Sequence, residues 1–243
     1  FSGDGKQTVD IGSNADAGYG LALQADGKLV QAGTALVAGN QDFVVVRYNT
    51  DGSLDTSFSG DGIVTTAVGS SFDIARAVTV QSDGKIVVGG YYSNGSNNDF
   101  AVVRYTTAGA LDTSFSGDGI ATVDFAGGHD AVWSVAMQPD GKIVAVGGAS
   151  SSDLAVARFS SDGSLDTSFS GDGKFSTRVG NSSFLYSTAI GADGRIVTAG
   201  YSNNTNDDVL TVRLTSDGQL DTRANPSGTS LGGATAYTEN AAA

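Results

Sequence analysis

Five residues, Phe-Ser-Gly-Asp-Gly, open the chain at Phe1 and return at Phe58, Phe115 and Phe169. They belong to a longer repetition. "ADGKLV", "SDGKIV", "PDGKIV" and "ADGRIV" begin at Ala25, Ser82, Pro139 and Ala192, and "DFVVVRY", "DFAVVRY", "DLAVARF" and "DVLTVRL" begin at Asp42, Asp99, Asp153 and Asp208. "LD" then follows at Leu54, Leu111, Leu165 and Leu220. Self-similarity at a fixed period constrains a fold more than any composition can, because each copy must build the same unit and bury its apolar faces against its neighbours.

Within a copy, short runs rich in Val, Ile, Tyr and Phe alternate with turn signals. An example is "ARAVTVQ", then "SDG", "KIVVGGYY", a polar loop, "DFAVVRYT", "TAG", "ALDTSF" and "GIATVDF". Asp-Gly between alternating runs predicts a hairpin, with glycine supplying positive φ in a primed turn. Four strands per copy result, A to D. The D strands are expected at 63–68, 120–125 and 174–179, with one more at 6–11 ahead of the first copy; "LDTSFSGDG" reads as hairpin arm, loop or both. Composition agrees: 35 glycines serve tight turns, and 25 of the 26 acidic residues are aspartate, which favours turns and caps over helices.

Four-stranded units of about 55 residues in tandem predict an all-β fold, a four-bladed β-propeller. One domain is expected over residues 1–223, with blades centred on 18–68, 75–125, 131–179 and 186–223. The fourth copy lacks strand D, so residues 1–12, with "KQTVDI", are expected to supply it and close the ring, removing open sheet edges. Residues 224–243 read as a linker or the start of a following domain, and "GGATAYTENAAA" resembles the entry segment of cadherin-like tandem domains in bacterial adhesins.

The combination of "DGKIVVGG", "DFAVVRY" and "LDTSFSGDG" resembles the delta-60 repeat, a bacterial β-propeller domain of uncharacterised function in large secreted or surface proteins. The resemblance covers residues 1 to about 223. It implies an extracellular or cell-surface location and tethering to further domains; opening in mid-repeat without a methionine fits an excerpt of a longer precursor. "VVGGY" is also similar to kelch repeats, although the kelch tryptophan is missing.

A net charge of -13 repels phosphate backbones and argues against nucleic acid. Uninterrupted apolar runs of four residues at most are far from the roughly 18 needed to suggest a membrane span. Without cysteine, disulfides and thiolate metal sites are excluded.

Functional candidates follow from loop variation. From the Asp of "DGK" or "DGR" to that of the next strand C the spacing is 16, 16, 13 and 15, whereas from there to the Asp of "LD" it is 13 every time. Variable B to C loops share one end of a blade with the D to A loops, which marks that end as the binding face. Tyr19, Arg76, Trp133 and Tyr186 hold one equivalent position where strand A begins beside the channel. With Phe72, Tyr91, Tyr92, His129 and Phe184 they predict an aromatic rim suited to a glycan or peptide.

Asp16, Asp73 and Asp130 stand ten residues before the Asp of their "DGK", with Ser183 at the fourth place. They either cap their own D to A turns or form a ring at the channel mouth that holds calcium or magnesium. Arg47, Arg104, Arg158 and Arg213 recur with Asp55, Asp112, Asp166 and Asp221, and the pairs are expected to be structural. One histidine, His129, and the absence of a "GxSxG" elbow leave little for catalysis. The leading expectation is a non-enzymatic binding or scaffold domain; the alternatives are an aspartate-dependent carbohydrate-active hydrolase and a spacer without a ligand.

Overall fold

The computed structural model describes residues 1, 3–12, 15–150 and 152–222; the expected linker, 224–243, lies outside them. Blade one comprises β1 (Ala17–Leu23), β2 (Leu29–Val37), β3 (Asn40–Tyr48) and β4 (Ile63–Thr66). Blade two comprises β5 (Asp73–Val80), β6 (Ile86–Ser93), β7 (Asn98–Tyr105) and β8 (Ile120–Val123). Blade three follows with β9 (Ala131–Met137), β10 (Ile143–Ala149), β11 (Asp153–Phe159) and β12 (Lys174–Thr177). Blade four has β13 (Ser182–Ile190), β14 (Ile196–Asn203) and β15 (Asp207–Leu214). Every sheet is an antiparallel meander in chain order.

The A to B hairpins lie where Asp-Gly predicts them, but the turn differs. Only the glycine takes positive φ, +84° at Gly27 and Gly84, +85° at Gly141 and +77° at Gly194. The Gly27 N–H donates to the Gln24 carbonyl, and the Gln24 N–H to that of Lys28. This is a three-residue loop ending in a left-handed glycine, which lets any residue precede it. Two consecutive positive φ values instead mark the β2 to β3 turn, at Ala38 and Gly39.

"LDTSFSGDG" is a loop. Leu54 makes a single bridge to Tyr48, the Phe58 N–H donates to Asp55, and the Gly62 N–H donates to Phe58 before β4 begins. The loop delivers Phe58 beneath the next blade, where a Cβ on Gly109 would lie 3.1 Å from the ring. Phe115 meets Gly163 in the same way, and Phe169 meets Gly218. All three rings are fully buried, and truncating such a ring to alanine costs about 3–5 kcal/mol.

Apolar layers between successive blades make the core. Val30, Phe43 and Val45 pack with Ile86, Val88 and Val103; Val87, Phe100 and Val102 with Val132 and Ile143; Val144 and Val156 with Leu185 and Ile196. The innermost strands succeed one another, β1 against β5, β5 against β9 and β9 against β13. Among the described residues no comparable packing joins β13 to β1.

The N-terminal segment lies on the free face of blade one rather than in the sheet of blade four. Val9 and Ile11 pack on Ala35, Val44, Val46 and Tyr48, and the Phe1 ring meets Gly52 as Phe58 meets Gly109. Among the described residues the outer edge of β15 pairs only at its end, where Leu220 bridges to Leu214, and Val209 is 94% exposed.

Candidate functional site

Each A strand carries one irregularity in its pairing with strand B, between Gly18 and Gly20, Ala75 and Ala77, and Leu185 and Ser187, and opposite Val146 and Gly147 in blade three. The residues left unpaired are Tyr19, Arg76, Tyr186 and Trp133. A bulge kinks the strand and re-aims a side chain. Its sequence mark is the glycine seven residues after the Asp of "DGK" or "DGR". At Gly33, Gly90, Gly147 and Gly200 a Cβ would sit 1.9, 2.0, 1.9 and 1.8 Å from a strand A carbonyl oxygen.

The four bulged side chains line up along the inner strands. The Arg76 guanidinium lies 4.3 Å from the Tyr19 ring centroid, 4.7 Å from that of Trp133 and 5.8 Å from that of Tyr91. Trp133 meets Tyr186 edge to face at 5.5 Å; Tyr186 stacks on Tyr201 at 5.9 Å, and Tyr201 on Phe184 at 5.7 Å. A ladder of seven groups thus crosses four blades. Tyr19 and Tyr186 remain about half exposed. Tyr201 was not singled out from the sequence, although "GGYYS" and "AGYSN" place it in register with Tyr91.

The remaining rim residues separate. Tyr92 turns toward Thr122 and Asp99, and burial raises its pKa. Phe72 is exposed. His129 is exposed in the blade two to three loop, its Nδ1 accepting the Asn98 N–H at 3.2 Å. B to C and D to A loops do share one end: Asn97 Nδ2 donates to the Gly128 carbonyl, and Asn40 Nδ2 to that of Ser70.

Asp16, Asp73 and Asp130 cap their own D to A turns. Asp16 accepts the Ile11 N–H, Asp73 those of Val68 and Gly69, and Asp130 that of Phe125; Ser183 Oγ accepts the Val179 N–H in the same way. The three carboxylates do not converge on one point. Asp130 instead lies with Asp99 and Asp124, one carboxylate oxygen from each within 4.8 Å of the others, the one such group among the described residues. Burial, opposed by bonds from Phe125 and Ser150 and reinforced by Asp124 and Asp99, raises the Asp130 pKa to about 6.

The recurrent arginines are structural, as expected. Arg47, Arg104, Arg158 and Arg213 hold Asp55, Asp112, Asp166 and Asp221 at 2.6–2.9 Å. Arg47 Nη1 also donates to the Thr107 carbonyl and Arg104 Nη1 to that of Ser161, each in the following blade. Arg158 reaches Ser216 likewise.

A family model described as "Domain of unknown function (DUF5122) beta-propeller" matches residues 24–58, 81–115, 138–169 and 191–223, together more than half of the chain. No curated protein matches. Among solved structures, a catalytically inactive virginiamycin B lyase from Staphylococcus aureus is 15% identical over 89% of this chain and 60% of its own, with a TM-score of 0.47. A protein of unknown function from Dyadobacter fermentans is 14% identical over 82% and 60%, at 0.49. An alpha-L-arabinofuranosidase from Clostridium thermocellum is 10% identical over 84% and 69%, at 0.42. The chain spans about three fifths of the first two structures.

Proposed function

We propose, from the premise that the chain belongs to the DUF5122 β-propeller family of unknown function, that it is a non-enzymatic binding module. Its ligand is a glycan lying along the ladder of bulged side chains. One observation carries this reading: the same backbone irregularity, in all four blades, presents Tyr19, Arg76, Trp133 and Tyr186 on one line. Flat rings held by their neighbours offer stacking faces at little entropic cost, and a sugar's apolar face matches them. The use of aspartates as turn caps and arginine partners supports a binding role over hydrolysis.

Within this proposal the module is an extracellular or cell-surface domain of a large bacterial protein, and its ring closes by joining residues 1–11 to the edge of β15. Phe1 supports closure, since it sits on blade one as the loop phenylalanine of each blade sits on the next.

Trp133 is the only tryptophan, so its fluorescence reports on the site directly. Oligosaccharides found on a glycan array should change that signal saturably. Tyr186→Ala should weaken binding at least tenfold with an unchanged melting temperature, and Trp133→Ala should do the same by calorimetry. Saturable glycan binding indifferent to both substitutions would overturn the ladder as the site. Saturation by peptides alone would overturn the glycan while leaving the ladder.

A further inference from the structure

We infer that the Asp99, Asp124 and Asp130 cluster between blades two and three is a calcium site. Asp99 is the second residue of strand C of blade two, Asp124 follows its strand D, and Asp130 precedes strand A of blade three, so the site exists only where two blades meet. One oxygen from each carboxylate lies within 4.8 Å of the others. Calcium takes ligand oxygens at 2.3–2.6 Å, so pairs of them can stand up to roughly 5 Å apart. Nothing in the ladder of aromatic side chains takes part, so this site stands independently of the proposed glycan.

A group of acidic residues alone would mean little. Here Asp99 is only 5% exposed, and its Oδ1 is buried and makes no hydrogen bond, while Oδ2 accepts from Asn94 Nδ2 at 2.8 Å and the Tyr92 hydroxyl stands beside the carboxylate. A buried carboxylate oxygen without a partner costs free energy that a cation would recover. Asp130 keeps lone pairs for a metal although its oxygens accept the Phe125 and Ser150 N–H groups. Among the described residues no ion pair neutralises any of the three. Lys174, the lysine nearby, donates to the Asp124 main-chain carbonyl and lies over the Phe125 ring.

The repeat supplies its own control. In the next interface Asp153 stands where Asp99 does, Arg178 where Asp124 does and Ser183 where Asp130 does. There the Arg178 Nε donates to Asp153 Oδ1 at 2.5 Å. The fold thus places a cation at this position when the sequence provides one. Between blades two and three the sequence provides a third carboxylate instead, and the positive charge must come from solution.

The test compares chelator-treated protein with and without calcium, by titration calorimetry and thermal melting. Wild type should bind saturably with one site per chain, and at a hundredfold excess over Kd its midpoint should rise by about 5 °C or more. Asp124→Arg, which copies the neighbouring interface, should abolish the heat and the shift while melting at or above chelated wild type. Asp99→Asn should lose both as well. Coincident melts and no heat for wild type would overturn the site; so would a calcium response that survives in Asp124→Arg and Asp99→Asn, because binding would then lie elsewhere.

Discussion

Gly33, Gly90, Gly147 and Gly200 show how one residue type can hold a site in register. None needs positive φ; each is glycine because a strand A carbonyl occupies the place of its Cβ. Gly147→Ala should therefore force the bulge at Trp133 to move, at a cost of about 3 kcal/mol or more, and disturb ligand stacking. Gly117, at φ +88° with open space around it, should tolerate alanine at about 1–2 kcal/mol. Urea unfolding of the two variants checks the order, and a reversal would show that backbone crowding at the bulge is not limiting. The glycine was legible in the double glycine of "VVGGY", but its reason was not, because a bulge arises from pairing between two strands.

At the scale of the strand and its loop, the arginine and aspartate pair is a clamp with two jaws. One holds the loop after strand C; the other crosses to the next blade through Nη1. Burial raises the Asp166 pKa, but bonds from Ser168 and Lys142 and the charge of Arg158 more than offset it, leaving about 2. Asp55 and Asp112 are lowered as well. Since the folded value lies below the unfolded one of 3.8, the stabilisation is complete above about pH 4 and is lost as pH falls through 2, about 2 kcal/mol for Asp166. Asp166→Asn should thus be less stable than wild type by about that amount at pH 7 and nearly equal to it at pH 2. Denaturant melts at both values would show it, and a gap that stays constant with pH would mean that the charge of Asp166 contributes nothing. The pairing within a blade was readable from constant spacing, whereas the crossing to the following blade depends on how two sheets pack.

At the scale of the whole molecule, the series of blades has two ends, the outer edge of β15 and the face of blade one under the N-terminal segment. Residues 1–11 carry the loop phenylalanine and turn of a preceding blade, and β15 has an edge, paired only at Leu214, that such a segment would cover. Removing residues 1–12 should uncover Val44, Val46 and Tyr48 and leave both ends unprotected, lowering the melting temperature and promoting edge-to-edge association. A truncated chain that remains monomeric in light scattering, with an unchanged midpoint, would refute the closed ring.

The four tandem copies, the hairpins at Asp-Gly, the all-β meander and the arginine and aspartate pairs were written in the sequence, because they depend on residues a few positions apart and recur four times. Tertiary structure alone decided that Asp130 meets Asp99 and Asp124 rather than Asp16 and Asp73, that Tyr201 joins the ladder, and that residues 6–11 lie on blade one. Those outcomes turn on the angle and register between neighbouring sheets. That geometry is fixed by the apolar layers packed between blades, where residues distant in the chain meet, and a period read along one chain carries no record of it.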